Sequence, residues 1–510
     1  MNRHAAGALL LISFVVWAQP PAIGQNGVAN AASQIPPTLA GGTLTAGARF
    51  VVTGVRLADA SLVFSNAAGS WKARILSSTP KKLEAIVPEG LPPGSIELRA
   101  TTGALVSQPF QVTVVGSSPG IYSRNGRGWG PGRIRNLSEK GEVSFDRSAK
   151  PGDRIAIAAT GAADHPTFHL GEKLVKDASL QPLNEPGDEE FILRIPASAP
   201  EGCFVPLYVE TVPGAPISNV VTIAIRRTGG ACLPSAGSPM PLLREKRVGV
   251  VVLARTAGLS KNGQDKWIDD NGTAAFAIKQ DGPATTPLLM MPPKGTCTVY
   301  TGSSQSSFTM PVSLSAGLLN DLGDDGFDAG RVLIAHRGAE TREIPFTPGA
   351  LGYYTAPLGT SEGKRRPLFL NPGEIFTVTA TGSFDLPIRM PDAVDWTNRD
   401  QIADLNRSRP VTLTWSPSRP GQTIYILAAN ADQFTTARAM CFCAADGRDG
   451  RFTIPAAILA NFPVTYDVGG KPVNQLGLAA SSGAAAVQTL GNGLLAGMGL
   501  FINTRIVDFR

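Results

Sequence analysis

The chain has 510 residues, enough for several domains at the usual ~150 residues each. Hydrophobic residues make up 43% of it, which excludes a disordered polypeptide, and 56 glycines and 41 prolines among short apolar runs indicate turn-rich β structure. The net charge of +6 is small for this length and the basic residues are scattered, so we predict no nucleic-acid partner.

The beginning of the chain has the order of a secretory signal. A short positive start at residues 3–4 precedes an apolar run over 5–18, after which polar residues return. The run of about 14 residues is shorter than the ~20 that a membrane-spanning helix needs. We predict a signal peptide over 1–25, cleaved between Ala18 and Gln25, with an uncleaved anchor or a buried helix as the alternatives. The predicted location is secreted, extracellular or cell-envelope, with no stable transmembrane segment after cleavage.

Residues 26–36 are small and polar, and we predict a flexible leader there. Over 37–115, apolar and polar residues alternate in short runs: LEAIV at 83–87, IELRA at 96–100 and FQVTV at 110–114. Alternation with a period of two places the apolar side chains on one face of each strand, which a second sheet can cover. About seven such strands in ~80 residues predict an immunoglobulin-like β-sandwich.

This first segment also carries the run RFVVTGVRL at 49–57, followed by VF at 63–64. With these residues the segment resembles IPT/TIG domains. The resemblance implies an immunoglobulin fold.

The segment 116–234 carries a longer series of motifs. They are PGIY at 119–122, GRG at 126–128, Asn136, PGD at 151–153, ATG at 159–161, GCFVP at 202–206, SNVV at 218–221 and GGAC at 229–232. In this order they resemble the Solibacter-type uncharacterised domain of acidobacterial exported proteins. The sequence departs from that pattern at 161–163, where GAA stands and members often continue with glycine. The resemblance implies a β domain in an exported host and no established activity.

Five cysteines suit an oxidising compartment but are too few for a disulfide-framed scaffold. Cys203 opens a predicted strand and Cys232 follows another in the same domain, so we predict a disulfide between them; two buried thiols are the alternative. Cys441 and Cys443 stand two apart, where a direct bridge within one strand is strained. One of the two can pair with Cys297, but the sequence leaves these pairings open.

Residues 235–246 look like a linker, and β domains follow over 247–390 and 391–510; the sequence leaves open whether these two are one unit. Their phrases resemble the carboxy-terminal regions that accompany the same acidobacterial domain. A short helix is predicted at 456–462. The uncharged stretch 476–500 is rich in glycine, which disfavours a membrane helix, and we predict buried β structure there. The predicted fold class is therefore all-β, with serial immunoglobulin-like sandwiches after a signal peptide.

Several motifs match part of the pattern of a known functional site but fit a structural role better. GSSPG at 116–120 matches a nucleophile elbow but lacks the following helix, so we interpret it as a hinge between domains. The glycines of 126–132 lack the lysine and helix of a phosphate loop, and Trp129 at the tip is either an exposed contact aromatic or folded over its own loop. His165 and His169 are spaced as metal ligands, but Pro166 between them disfavours a helix.

Asp321, Asp324, Asp325 and Asp328 cluster in a glycine-containing loop. Carboxylates are ligands for Ca²⁺, but the spacing lacks the alternation of an EF-hand and its closing glutamate. We interpret this segment as a solvated acidic loop, with a calcium site as the alternative. The sequence thus predicts no catalytic, cofactor-binding or metal-binding residues.

The favoured function is that of an exported non-enzymatic protein for cell-surface or extracellular binding and scaffolding, with an extracellular protein or carbohydrate as partner. The alternative is a secreted carbohydrate-active hydrolase that uses a carboxylate pair. The available pairs are Asp269–Asp270, Asp324–Asp325 and Glu189–Glu190. Adjacency in sequence does not supply the facing geometry that such chemistry needs, and we expect no enzyme activity.

Overall fold

The computed structural model of the chain describes most of its residues. Residues 1–18 of the predicted signal peptide lie outside them, whereas its last four residues, 22–25, begin the first strand, so the predicted end of the signal peptide at residue 25 overlaps the folded part of the chain. The described ranges are 19–162, 166–210, 216–232, 240–264, 266–279, 289–302, 325–361, 366–380, 382–431, 437–465, 474–483 and 485–510. Within them the protein is all-β, as predicted: two β-sandwich units come first, and a third, larger unit is built on a ten-stranded sheet.

The first unit packs two sheets face to face. Its strands are β1 (Ala22–Asn30), β2 (Arg49–Val55), β3 (Ser61–Asn66), β4 (Gly69–Lys72), β5 (Arg74–Ser78), β6 (Lys82–Ile86), β7 (Gly94–Thr102), β8 (Leu105–Val106) and β9 (Phe110–Val114). One sheet has the order β1-β2-β6-β5, and the other has β4-β3-β7-β8 with β9 beside β7. The alternation predicted the buried faces correctly, since Leu83, Ala85, Ile96 and Leu98 are buried between the sheets.

The prediction of a flexible leader over 26–36 is wrong. Most of its first half belongs to β1, which pairs antiparallel with β2 along the edge of the first sheet. Val28 and Ile35 are each only 1% exposed, and Asn30 is buried as well. Close packing explains at least one of the small residues, since a Cβ at Gly27 would lie 2.4 Å from the carbonyl oxygen of Thr53.

The second unit is another pair of sheets. Its strands are β10 (Gly120–Ile121), β11 (Gly130–Pro131), β12 (Ile134–Asn136), β13 (Gly141–Glu142), β14 (Arg154–Thr160), β15 (Thr167–Leu170), β16 (Lys173–Val175), β17 (Ser179–Pro182), β18 (Glu189–Arg194), β19 (Gly202–Glu210) and β20 (Val221–Ile225). A six-stranded sheet has the order β13-β12-β14-β18-β17 with β10 beside β14, and a five-stranded sheet has the order β11-β20-β19-β15-β16. Ile155, Ile157, Phe191 and Leu193 are buried between them, as the alternation predicts.

The buried side chain of Asn219 links β10 to the loop that contains Gly128. Asn219 donates from Nδ2 to the carbonyls of Ile121 and Gly128, and its Oδ1 accepts from the Ile121 amide at 2.8 Å. Gly128 has a φ of +78°, and a Cβ placed there would lie 1.8 Å from the carbonyl oxygen of Ser33 in the first unit. A residue other than glycine would therefore push the two units apart at this point.

The segment predicted as a hinge, 116–120, is fixed at its centre. Ser118 is buried; its hydroxyl donates to the Thr43 carbonyl at 3.0 Å and its carbonyl accepts from Asn30 Nδ2 at 3.1 Å. Asn30 also accepts the amides of Ala32 and Ser33 on Oδ1. These bonds join the first two units through polar groups that are shielded from water, which makes the junction specific in geometry.

The third unit begins after a 3₁₀ turn at Met240–Arg244. Its strands are β21 (Arg247–Leu259), β22 (Lys266–Ile278), β23 (Thr296–Gly302), β24 (Asp325–Gly326), β25 (Val332–Arg337), β26 (Glu340–Pro345), β27 (Tyr353–Thr360), β28 (Ile375–Ala380), β29 (Phe384–Arg389), β30 (Asp395–Trp396), β31 (Asp404–Leu405), β32 (Val411–Ser416), β33 (Thr423–Ala431), β34 (Arg438–Asp446), β35 (Arg451–Ile454), β36 (Gln475–Ser481), β37 (Ala486–Leu490), β38 (Gly493–Ile506) and β39 (Asp508–Phe509). Further 3₁₀ turns lie at Arg399–Gln401 and Gly447–Asp449, and the helix α1 spans Ala456–Leu459, inside the predicted helical segment.

The two predicted domains 247–390 and 391–510 form one unit. A ten-stranded sheet has the order β23-β34-β33-β36-β38-β21-β22-β24, with β27 on β22 and β37 on β38, and thus alternates between the two halves of the sequence. Two small sheets cover one face of it: β26-β25-β28-β29 packs over β21 and β22, and β30-β32-β35 packs over β33, β34 and β36. The sequence left this possibility open because strand pairing is not encoded locally.

The uncharged stretch 476–500 supplies central strands, β36 and most of β38, which agrees with the prediction of buried β structure. None of the helices in the described ranges has the length and hydropathy of a membrane-spanning segment.

Two disulfides are present. Cys203 and Cys232 are bonded, which confirms that prediction. Cys297 on β23 lies opposite Cys443 on β34 in the register, and these two form the second disulfide. Cys441 remains a buried free thiol, and burial raises its pKa to about 12.

A buried apolar contact joins the second unit to the uncovered face of the ten-stranded sheet; we call it the interdomain cluster. Its members include Trp129 and Phe204 of the second unit, Leu242 and Leu243 of the 3₁₀ turn, and Val250, Val252, Tyr300 and Phe442 of the sheet. Both sequence interpretations of Trp129 are therefore wrong, because the ring is 2% exposed and packs edge-on against Tyr300 at 5.3 Å between centroids. The predicted linker 235–246 ends in this cluster, and its residues 235–239 lie outside the described ranges.

Candidate ligand-binding cleft

The outer face of the six-stranded sheet in the second unit holds a cleft of about 250 Å³. Ala156 and Ala158 of β14 form its floor. Their neighbours Ile155 and Ile157 point to the opposite face and are buried in the core, because successive residues of a strand alternate between the two faces. The short side chains on the floor leave room between the longer side chains of the flanking strands.

Charged residues of the flanking strands form the walls. Arg133 and Arg135 lie on the β12 side and Glu190 on β18. In the strand register Arg135 is opposite Ala156, and Glu190 is opposite Ala158. Arg135 donates to Glu190 Oε2 at 2.5 Å, so an ion pair links the two walls above the alanine floor.

One rim of the cleft lies at the junction with the first unit. The guanidinium of Arg49, on β2, lies 3.3 Å from Glu185 Oε2 and 3.3 Å from Asp188 Oδ2. The Tyr122 hydroxyl donates to Asp188 Oδ1 at 2.5 Å. Burial, followed by the contact with Asp188, raises the pKa of Tyr122, so the phenol stays protonated. Burial also raises the pKa of Asp188, while Tyr122 and Arg49 act to lower it.

Arg133 differs from the other charged groups of the cleft. Glu142 is paired with Arg124 at 2.8 Å, Glu190 with Arg135, and Glu185 and Asp188 with Arg49. The Arg133 side chain is exposed, and its guanidinium lies over the Tyr122 ring, 5.3 Å from the centroid. Within the described part of the chain it makes no hydrogen bond or ion pair. It is thus available to a ligand.

The adjacent carboxylates considered for hydrolysis do not face one another. Glu189 accepts the Ala162 amide at 3.1 Å, whereas Glu190 points into the cleft. Asp270 is fully buried on Arg255, and its neighbour Asp269 on the same strand points to the other face. Asp324 lies outside the described residues. Because the two described pairs lie in strands, each has its carboxylates on opposite sides of a sheet.

The predicted metal-ligand candidates have ordinary partners where they are described. His169 stacks on Tyr208 with 4.4 Å between ring centroids, and its Nε2 lies 3.1 Å from Glu210 Oε2. Burial lowers the pKa of His169. His165 lies outside the described residues.

In the acidic loop, Asp328 accepts from the Tyr354 hydroxyl at 2.9 Å, Asp325 begins β24, and Asp321 and Asp324 lie outside the described residues. In the ranges that the structure describes, no three His, Cys, Asp or Glu side chains are placed to hold a metal ion.

Sequence reasoning missed the cleft, because its residues come from four strands and the loops beside them, and strand order could not be predicted. Two short patterns carry a signal in retrospect. RIR at 133–135 and AIA at 156–158 each have an isoleucine between two outward residues, long in the first run and short in the second. Paired side by side, such runs place arginines beside an alanine floor.

Comparisons with known proteins give no identity. No family model and no curated protein matches the chain. Among solved structures it is similar to Gamma-CGTase from alkalophilic Bacillus clarkii, at 10% identity over 41% of this chain and 27% of that chain, with a TM-score of 0.16. It is also similar to SGBP-B of the Bacteroides ovatus mixed-linkage glucan utilization locus, at 10% identity over 82% and 87% of the two chains, with a TM-score of 0.15.

Domains 5–6 of the S-layer protein SbsC are similar at 16% identity over 41% of this chain and 99% of that chain, with a TM-score of 0.18. The chain spans about a quarter of the length of the Gamma-CGTase. Likenesses at these TM-scores carry no argument about fold or function, so the functional proposal depends on the cleft and the architecture.

Proposed function

We propose that the protein is an exported, non-enzymatic binding and scaffolding protein of the cell surface or extracellular space, and that the cleft of the second unit takes the ligand. The observation that carries the proposal is the cleft itself: a small recess on an alanine floor with charged walls, and an exposed arginine that stacks on Tyr122 but makes no hydrogen bond or ion pair with a described side chain. Binding sites combine such a recess with a few convergent polar groups.

The architecture supports the same proposal. The three units are joined through buried contacts, polar between the first and second and apolar between the second and third. Two disulfides suit an oxidising compartment and agree with the predicted signal peptide. A chain of units held in this way presents a binding site at a fixed position. The proposal that the protein is exported also draws on the resemblance of 116–234 to a domain of acidobacterial exported proteins.

The charges of the cleft favour binding over hydrolysis. A glycosidase needs one carboxylic acid that protonates the leaving group and a second carboxylate that faces it across the bond. Of the cleft carboxylates, Asp188 has the raised pKa, but its side chain is 6% exposed and is held by Tyr122 and Arg49. Glu142 and Glu190 are each held in an ion pair with an arginine, and among the described residues no second carboxylate faces either of them across the recess at the position of a scissile bond.

The proposal is tested by filling the cleft. Ala158→Trp places an indole on the floor without touching the core, because Ala158 points to the outer face. Ala67→Trp, in an exposed turn of the first unit, is the matched control. The mature chain and both variants are screened on a glycan array and against extracellular protein fractions, and each hit is assayed for release of reducing ends.

We expect the unmodified chain and Ala67→Trp to bind the same ligands, Ala158→Trp to lose at least about tenfold in affinity, and no variant to release reducing ends. Hydrolysis by the unmodified chain that Ala158→Trp abolishes would instead support the hydrolase. Binding that Ala158→Trp leaves unchanged would place the ligand elsewhere on the molecule.

A further inference from the structure

The cleft carries both kinds of hydrogen-bonding group that a ligand can use. Arg133 offers guanidinium N–H donors that no described side chain engages, beside an aromatic ring. Glu142 and Glu190 each accept from an arginine through Oε2. Neither Oε1 has a hydrogen-bond partner among the described residues, so each remains an acceptor for a ligand donor.

From this arrangement we propose that the ligand is an acidic saccharide, a sugar chain that contains uronate units. This inference rests on the proposed function and specifies its ligand. The uronate carboxylate is bound by Arg133, and ring hydroxyls of the same sugar donate to Glu142 and Glu190. The apolar face of the ring packs on Ala158, the partly exposed alanine of the floor, beside the Arg135–Glu190 ion pair.

The geometry at Arg133 selects for an anion. A guanidinium matches a carboxylate with two parallel hydrogen bonds, and charge-assisted bonds of this kind are about twice as strong as neutral ones. The Tyr122 ring below the guanidinium restricts its movement, and contact with an aromatic face is itself favourable for a cation. Arg133 is therefore held ready for the anion, and less side-chain freedom is lost on binding.

The surrounding carboxylates select against a ligand that is anionic throughout. Glu142 and Glu190 line the same recess as Arg133, and each repels a phosphate group or a run of acidic side chains. A uronate places one carboxylate among several hydroxyl donors, which satisfies both the arginine and the glutamates. The volume of about 250 Å³ is below the ~300–1,000 Å³ of sites for drug-sized ligands, so it suits one sugar ring of a longer chain.

The test is calorimetric titration of the mature chain with three probes. The first is a set of uronate trisaccharides (galacturonate, mannuronate and guluronate). The second is the same set as methyl esters, which keep every hydroxyl and lose the charge. The third is hexaglutamate, an anionic peptide. The variants are Arg133→Ala, Arg133→Lys and, as a control that removes one exposed arginine from the first unit, Arg74→Ala.

We expect at least one uronate to bind, with its methyl ester and hexaglutamate at least about tenfold weaker. Arg133→Ala is expected to lose about tenfold or more, Arg133→Lys less, and Arg74→Ala nothing, and higher salt is expected to weaken binding. Equal binding of acid and ester, equal binding of hexaglutamate, or full binding by Arg133→Ala would overturn the inference.

The two proposals fail differently. If a neutral glycan or a protein binds in a manner that Ala158→Trp blocks, while no uronate binds, the ligand class is wrong and the proposed binding function stands. If the mature chain binds nothing on the array, in the protein fractions or in the titrations, both are wrong.

Discussion

Asp270 is a buried carboxylate that accepts hydrogen bonds from a side chain and from two backbone amides of the third unit. Its Oδ1 and Oδ2 accept from Arg255 at 2.7 and 2.8 Å, and Oδ2 also accepts the amides of Phe369 and Leu370 at 2.5 and 2.8 Å. It thus ties β21 and β22 to the segment that leads into β28. Charge in this interior position is stable only because each oxygen has donors.

Asp270→Asn is expected to destabilise the third unit by about 3–5 kcal/mol, because it leaves the Arg255 charge buried without a counter-charge. Asp269→Asn changes the adjacent residue, which is half-buried on the other face, and is expected to stay within ~0.5 kcal/mol of the unmodified chain. Urea unfolding followed by near-ultraviolet circular dichroism measures both. Equal midpoints for the two variants would contradict this account of Asp270.

On the scale of single residues, the sequence predicted one disulfide correctly and suggested a carboxylate pair that the fold separates. Asp269 and Asp270 looked like a carboxylate pair, but alternation along a strand separates them. The Cys203–Cys232 disulfide was predictable because both cysteines lie near strand ends of one domain. Arg133 and Tyr122 gave no signal as a pair, because their contact depends on the position of β10 beside β14, which no local pattern encodes.

Strands were the most predictable elements where their apolar residues alternate, as in β6, β7 and β14. β1 was missed because the apolar residues of its sequence, AIGQNGVAN, do not alternate with polar ones and two glycines interrupt it. Its stability comes from backbone pairing with β2 and from Asn30, which are properties of the assembled sheet. A strand is therefore predictable from sequence where its apolar residues alternate, and not where backbone pairing and buried polar groups stabilise it instead.

The disulfide across β23 and β34 is expected to contribute more than the one in the second unit. Cys297 and Cys443 are 146 residues apart, against 29 for Cys203 and Cys232, so the loop-closure estimate is about 5 kcal/mol for the first and about 3.5 kcal/mol for the second. The double variants Cys297→Ala/Cys443→Ala and Cys203→Ala/Cys232→Ala are compared by scanning calorimetry. A larger loss from the second variant would show that chain entropy does not govern these bonds.

On the scale of the whole molecule, the interdomain cluster couples the second unit to the third. Trp129, at the tip of a glycine-rich loop, reaches the face of the ten-stranded sheet opposite the two small sheets and packs on Tyr300. Phe145 and Phe204 lie beside it, with 5.1 Å between their ring centroids. The contact is apolar and buried, so it favours cooperative unfolding of the second and third units.

Trp129→Ala is expected to cost about 3–5 kcal/mol and to split the unfolding of the second and third units into two calorimetric transitions. Trp71→Ala, which removes a partly buried ring from the first unit, is the control and should shift only the transition of that unit. A single unshifted transition for Trp129→Ala would mean that the cluster does not couple the units.

The position of β38 within its sheet determines when the third unit can fold. β38 pairs in parallel with β21, so that Val248 lies beside Leu494, and it also pairs with β36. β38, which comes late in the sequence, therefore lies at the centre of the sheet. During synthesis β21 has no partner on that edge until almost the whole third unit has been made. Contacts between residues so distant in sequence slow folding and lengthen exposure to aggregation. The second unit has the same kind of dependence over a shorter stretch of chain, because its last strand, β20, pairs in parallel with β11. The third unit, whose pairing spans the most sequence, is therefore the one whose folding is delayed longest during synthesis.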